Sequence, residues 1–302
     1  VQFVEIEFHH YARHLVFSTS GGGRSRNLFN LSRAGYRSKE STVQLFDTHC
    51  HLEMPPLFGS ASQIVERAQQ AGVVGVVVSA IEPQFYPRAI DLMERFPGFV
   101  WVTLGLHPPR TSPQMVHRCI ALIRQRADQI VGIGEVGLDY YWVKDPKQRE
   151  YQQQAFVEFM KLAAELDLPI VVHSRDAEND AVVALRREQA TRVHLHCFNN
   201  PDRIAESAAQ KWFMSVPTSV VARPQMQRIA QTIPFANMLL ETDAPYLAPF
   251  PNQRNEPSNL PYAAAKIAEL KATSPEAVAK TTTENALLLF RLEHGSDGLR
   301  RR

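Results

Sequence analysis

Cysteine is scarce in this chain: Cys50, Cys119 and Cys197 are the three among 302 residues. They form no Cys-x-x-Cys pair and their number is odd, which argues against a disulfide framework. We expect free thiols in a reducing compartment, the cytoplasm or, in a eukaryote, the nucleus. Long apolar runs are also missing, so no segment is expected to span a membrane. The stretch from Val1 to Phe17 mixes Glu5, Glu7 and three histidines with its apolar residues and makes a poor signal peptide. Charge of one sign is not in excess either: the formal net charge is +2, so no global positive field advertises nucleic acid. A polyanion would have to be gripped by local groups. Finally, no glycine-rich phosphate loop follows the first apolar run, which speaks against a doubly wound nucleotide-binding sheet.

What charge there is has an uneven distribution. The first 44 residues hold six Lys or Arg against three acids, leaving 27 against 28 in the other 258. Residues 18–42 are rich in Ser, Gly and Arg and include Gly21-Gly22-Gly23. We therefore expect residues 1–42 to be a flexible basic N-terminal extension and residues 43–302 to form one domain. A transit peptide or a nucleic-acid-binding arm are the competing readings of the extension, and Glu5 and Glu7 count against the first. Because the chain begins with Val1 rather than Met, it is expected to be a fragment of a longer one.

From Val43 onward short apolar or β-branched runs alternate with amphipathic stretches. The runs are 43–48, 73–79, 99–105, 130–135, 169–173, 192–197, 211–216 and 237–243. Helical patterns occur at 62–71, 84–95 and 148–166, with two more at 261–271 and 275–290 after the last run. The 44% hydrophobic content suffices for a sizeable core. Eight strand–helix units without a compositional break predict an α/β fold of the (β/α)8 TIM-barrel type.

Barrel enzymes place their chemistry at the carboxyl ends of the strands. The first run ends in His49-Cys50-His51, where strand alternation puts both imidazoles on one face and Cys50 on the other. The third ends in Gly105-Leu106-His107-Pro108, the fourth in Gly134-Glu135-Val136-Gly137-Leu138-Asp139, and the fifth in His173-Ser174-Arg175-Asp176. The sixth ends in His196-Cys197-Phe198 and the eighth in Glu241-Thr242-Asp243-Ala244-Pro245. Runs two and seven supply neither imidazole nor carboxylate. Four histidines and two carboxylates at one mouth are the ligand types of a dinuclear metal site. His107 is open between a loop residue, a substrate contact and a ligand. His194 and Glu241 sit deeper, as a hydrogen-bonded core histidine and a buried network carboxylate. Asp139 is placed beyond its strand, capping a loop or supporting a ligand.

These motifs, together with Leu168-Pro169-Ile170-Val171-Val172-His173-Ser174-Arg175, Arg254-Asn255-Glu256-Pro257 and Asn285-Ala286, resemble the TatD family of metal-dependent deoxyribonucleases over residues 45–290. The resemblance implies a hydrolase of DNA phosphodiester bonds on a (β/α)8 barrel. It implies two divalent cations, Mg²⁺ first with Zn²⁺ or Mn²⁺ as alternatives, held by His49, His51, Glu135, His173, His196 and Asp243, with Glu135 bridging. Two departures stand out. Asn199-Asn200 replace the family's usual Ser or Thr followed by Gly, in a turn expected to need φ > 0. Phe159 stands where Gln is expected, which we read as a packing change.

Asp243 is the expected base and Glu135 the second catalytic carboxylate, with Arg175, His107 and Tyr140 as substrate contacts. Arg175 is equally suited to partner Asp176 or Glu135. Tyr140, Tyr141 and Trp142 can stack on an unpaired base, so a single strand or strand end, cleaved in exonuclease fashion, is the expected DNA substrate. No obligate protein partner is evident. The alternatives are hydrolysis of an amide or an ester such as an aminoacyl ester on the same metals, and a non-catalytic nucleic-acid-binding module.

Overall fold

The computed structural model describes residues 43–296 and 298–302, and the expected N-terminal extension lies outside them. Eight parallel strands follow one another around a barrel: β1 (Leu45–Cys50), β2 (Val73–Ala80), β3 (Val100–Leu104), β4 (Gly132–Asp139), β5 (Ile170–Arg175), β6 (Val193–Leu195), β7 (Phe213–Pro217) and β8 (Met238–Glu241). The seam is drawn together just past the end of β8. There Asp243 N–H donates to the His49 carbonyl at 2.9 Å, and His51 N–H donates to the Ala244 carbonyl at 2.8 Å. This is the expected (β/α)8 architecture.

Helices α1 (Pro55–Phe58), α2 (Ala61–Gln70), α3 (Tyr86–Arg95), α4 (Pro113–Arg124), α5 (Pro146–Glu165), α6 (Glu178–Arg187), α7 (Ile204–Ala209), α8 (Pro224–Thr232), α9 (Leu260–Leu270) and α10 (Pro275–Leu289) surround it. Several begin with a proline behind a polar cap. The side chains of Ser112, Asp145 and Ser274 accept from Met115 N, Lys147 N and Ala277 N, satisfying amides that the first helical turn leaves unpaired. Phe159 is buried on α5, in line with a packing role.

Two cores result from strand alternation. The larger lies between strands and helices. The smaller takes Phe46, Val77, Trp101, Val131, Val171, Phe213 and Leu239, one from or beside each of seven strands, and so fills the barrel interior. His194 on β6 completes this layer, its ring 6.4 Å from that of Phe290. Two residues further along these same strands the inward positions become polar: Ser79, Thr103, His173, His196, Ser215 and Glu241. The site therefore rests on an apolar floor.

A hairpin of β9 (Leu292–Gly295) and β10 (Gly298–Arg301) was not expected from the sequence. Only Leu292 and Leu299 are apolar within its strands, and both join the inner core beneath the barrel. Two charged or polar residues for each apolar one leave no strand-like alternation to read. Strand β4 runs to Asp139, so that residue ends the strand instead of lying past it.

Candidate metal centre

Strand β1 presents His49 and His51 to the same space, as alternation requires. Their Nε2 atoms are 3.3 Å apart. His51 Nδ1–H donates to the Ser79 carbonyl at 2.8 Å, which turns Nε2 toward the site. His49 Nδ1 meets the Ser79 hydroxyl at 3.1 Å, and Thr103 donates to that hydroxyl at 3.0 Å. Strand β2, which carries no imidazole or carboxylate, thus orients both rings from behind. Cys50 points away and its thiol donates to the Val77 carbonyl. All three cysteines are free thiols.

Glu135 sits between two groups of imidazoles. Its Oε2 is 3.3 Å from His49 Nε2 and 3.6 Å from His51 Nε2. Its Oε1 is 2.6 Å from His173 Nδ1 and 3.9 Å from His196 Nε2. Asp243 closes the first group, with Oδ1 3.4 Å from His51 Nε2 and 3.8 Å from His49 Nε2. Glycines make this crowding possible: a Cβ on Gly105 would stand 2.6 Å from the Glu135 carbonyl oxygen, and one on Gly137 would stand 2.1 Å from that of His173.

A further ring of polar residues fixes these side chains. His196 Nδ1–H donates to Glu241 at 2.9 Å, and Glu241 also accepts from the Ser215 hydroxyl at 2.6 Å and from Cys197 N–H at 3.0 Å. Asp139 accepts from His173 Nε2 at 2.9 Å and from Trp142 N–H at 2.7 Å, so it supports a ring and caps a turn at once. His194 bonds the Ser215 hydroxyl at 2.8 Å and is a core histidine. Asp47 accepts from Thr242 through both its amide (2.9 Å) and hydroxyl (2.6 Å).

Sequence reading missed Ser79, Ser215, Asp47 and Glu53. The signal for the serines was a hydroxyl inside a run destined for burial, as in Val76-Val77-Val78-Ser79, which needs a partner. Glu53 continues the His49, His51 alternation, and its buried carboxylate lies 3.5 Å from His51 Nδ1. In the turn after β6 the left-handed residue is Cys197, at φ 44°, and not Asn199 or Asn200. Asn200 is extended and caps the next turn by accepting from Asp202 N–H at 3.0 Å.

The electrostatics follow from packing four imidazoles against carboxylates out of water. Burial disfavours the charge on Glu135, but His173, His49 and His196 hold its carboxyl well below the usual range. Asp243 is likewise lowered, against its burial, by His51, His196 and His49. Burial pulls His173 down while Asp139 and Glu135 push it up to about 10; for His196, Glu241, Glu135 and Asp243 win and raise it to about 9. His49 is lowered by burial and by its neighbour His196, whose ring stacks on it at 3.8 Å. His107 is lowered to about 4 by burial and by His173.

Ligand atoms of His49, His51 and Asp243, of His49, Glu135 and His196, and of His107, Glu135 and His173 each lie within 4.8 Å of one another. Imidazole nitrogens with carboxylate oxygens suit a divalent cation, and convergent lone pairs at this spacing fit one better than they fit each other. At the rim the Arg175 guanidinium lies 3.7 Å from the Tyr141 ring centroid and 5.7 Å from that of Trp142. The Tyr140 hydroxyl donates to Asp180 and accepts from Gln153, both at 2.8 Å.

The family model described as TatD related DNase matches residues 46–291. The chain belongs to the TatD-related DNase family. It is thus a hydrolase of a metal-dependent class. Human deoxyribonuclease TATDN3 is 36% identical over 265 residues, covering 83% of this chain and 97% of the human one. The 3'-5' ssDNA/RNA exonuclease TatD of Erwinia billingiae is 32% identical over 262 residues, covering 82% of this chain and 99% of its own. Among solved structures, the TatD homologue YjjV of Escherichia coli K12 superposes with a TM-score of 0.77 at 28% identity, over 84% of this chain and 100% of that one. No helix among the described residues of this TatD-family chain is long and apolar enough to cross a membrane.

Proposed function

We propose that this protein is a nuclease that hydrolyses DNA phosphodiester bonds in single strands or at strand ends, with two divalent cations, Mg²⁺ first among them. The observation that carries this is Glu135, whose two oxygens face different imidazole groups: Oε2 toward His49 and His51, Oε1 toward His173 and His196. The names of the human and Erwinia relatives support the substrate class. His49, His51, Asp243 and Glu135 would hold one cation, and Glu135, His173 and His196 the other. Bound there, the cations supply positive charge that acidifies a water and neutralises phosphate oxygens.

The chain's own groups do the rest. Asp243, kept ionised by its imidazole neighbours, accepts the proton of the attacking water and orients it. Glu241 and Asp139 fix the tautomers and orientation of His196 and His173. Arg175, whose guanidinium lies over the Tyr141 ring, offers a planar fork to a phosphate, while His107 and Tyr140 contact the substrate beside it. A glutamate at the bridging position, where amidohydrolases often use a carbamylated lysine, favours the diester over an amide or ester substrate.

End-labelled single strands incubated with the purified protein and a panel of Mg²⁺, Mn²⁺ and Zn²⁺ test the proposal. Shortened strands are the expected result. Turnover of esters or amides with intact strands under every metal would overturn it.

A further inference from the structure

Single exposed apolar side chains are ordinary on a protein surface, whereas contiguous ones mark contact sites. Among the described residues Tyr151, Val183, Phe250, Tyr262 and Leu288 remain exposed. Two of them touch. The rings of Phe250 and Tyr262, 37% and 49% exposed, stand 5.1 Å apart with planes at 79°. An edge-to-face pair leaves ring faces free for a third flat group.

The site sets where this pair stands. Phe250 follows Asp243 by seven residues, on the loop that leaves β8. The feet of that loop are pinned together. Asn255 N–H donates to the Pro245 carbonyl at 3.1 Å, and the Asn255 side-chain amide donates to the carbonyls of Thr242 and Tyr246, each at 2.7 Å. At the near foot the Tyr246 ring lies 6.3 Å from that of His51. Tyr262 belongs to the first turn of α9, and helices after barrel strands start on the catalytic face. In an eight-stranded ring β8 lies opposite β4. The pair therefore follows a strand on the opposite side of the ring from the Tyr141–Trp142–Arg175 group after β4 and β5, and the imidazole–carboxylate cluster is built from the ends of these and neighbouring strands.

We infer that Phe250 and Tyr262 form a second base-stacking subsite, which takes an unpaired nucleobase of the strand whose phosphate lies at the cluster. The inference rests on the nuclease proposal above. Every base offers a π face, so the subsite is sequence-tolerant, and it requires a strand whose bases are not already stacked in a duplex. One base on each rim would stretch the backbone across the cluster and present its phosphate there.

The test is a coupling measurement on the full chain with single-stranded oligodeoxynucleotides in Mg²⁺. One abasic spacer is moved along the strand, and KM and kcat are compared for the native protein and for Phe250→Leu/Tyr262→Leu, which keeps apolar bulk without a π face. A single-site Phe250→Leu protein serves if the pair fails to fold. In the native protein a spacer at either of two positions, one per rim, raises KM about tenfold, the loss expected for one stacked base. The variant shows that raised KM on the full strand, and at one of the two positions the spacer adds nothing further. Equal spacer costs in both proteins overturn the subsite and leave the nuclease proposal standing. A change of oligomeric state on sizing, with no coupling, assigns the pair to self-contact and also overturns it. A native protein that cleaves no strand overturns both.

Discussion

The main-chain N–H of Asp243 donates to the carbonyl oxygen of His49 across 2.9 Å. The residues that draw the last strand against the first are thus the ones that bring a carboxylate to an imidazole. Asp47 ties the same seam by accepting from the Thr242 amide and hydroxyl. Barrel closure and site assembly are one event here, and several expectations come from it.

Asp243→Asn should abolish phosphodiester hydrolysis while sparing the fold. The substitution keeps the backbone bond to His49, and Asn tolerates the φ of 56° at this position. What it removes is the basic oxygen, worth about 10²–10⁴ in kcat. Steady-state kinetics and a thermal melt check this, and an active variant would sink the assignment.

Chelation should stop turnover, and divalent cation should raise Tm. A cation at about 100-fold its Kd stabilises the folded chain by about 2.7 kcal/mol through mass action. Glu135→Gln, with a weaker bridging group, should show a much smaller rise. Activity persisting in excess EDTA would contradict a metal mechanism.

Cation binding should release protons. Without cation, His196 and His173, raised to about 9 and about 10, are imidazolium at neutral pH. A ligand must be neutral, so affinity should climb with pH until it passes those values, by up to about tenfold per pH unit for each proton released. Calorimetry in buffers of different protonation enthalpy measures the count. A pH-independent affinity would show that these rings do not ligate.

Glu241→Gln should weaken cation binding by about 10–100-fold although it touches no cation. An amide has a single accepting oxygen: turned toward His196 Nδ1–H it sets its NH2 against Cys197 N–H, and turned toward Cys197 it loses the bond to His196. Cation titration separates this from a general loss of stability read in the melt.

Removing residues 1–42 should leave hydrolysis intact, because every proposed ligand lies between His49 and Asp243. Activity assays on the shortened chain decide. Loss of strand binding together with hydrolysis would move the function to the extension.

Much of this site was legible in the chain before any coordinates. Alternation alone puts His49 and His51 on one face, and strand–helix periodicity alone calls for a barrel whose strand ends meet. Those are local or repeating properties, and sequence carries them directly. Other features depend on which strands become neighbours. Ser79 and Ser215 are unremarked hydroxyls until β1 lies against β2 and β8 against β7. Glu241 is ambiguous until His196 arrives beside it, and the left-handed turn falls at Cys197 because the geometry after β6 puts the bend there. The Phe250–Tyr262 pair joins a loop to a helix twelve residues on. Periodicity reports the direction in which a side chain points. Its partner is chosen by burial, where a polar group that cannot turn back to water is stabilised by another across the barrel.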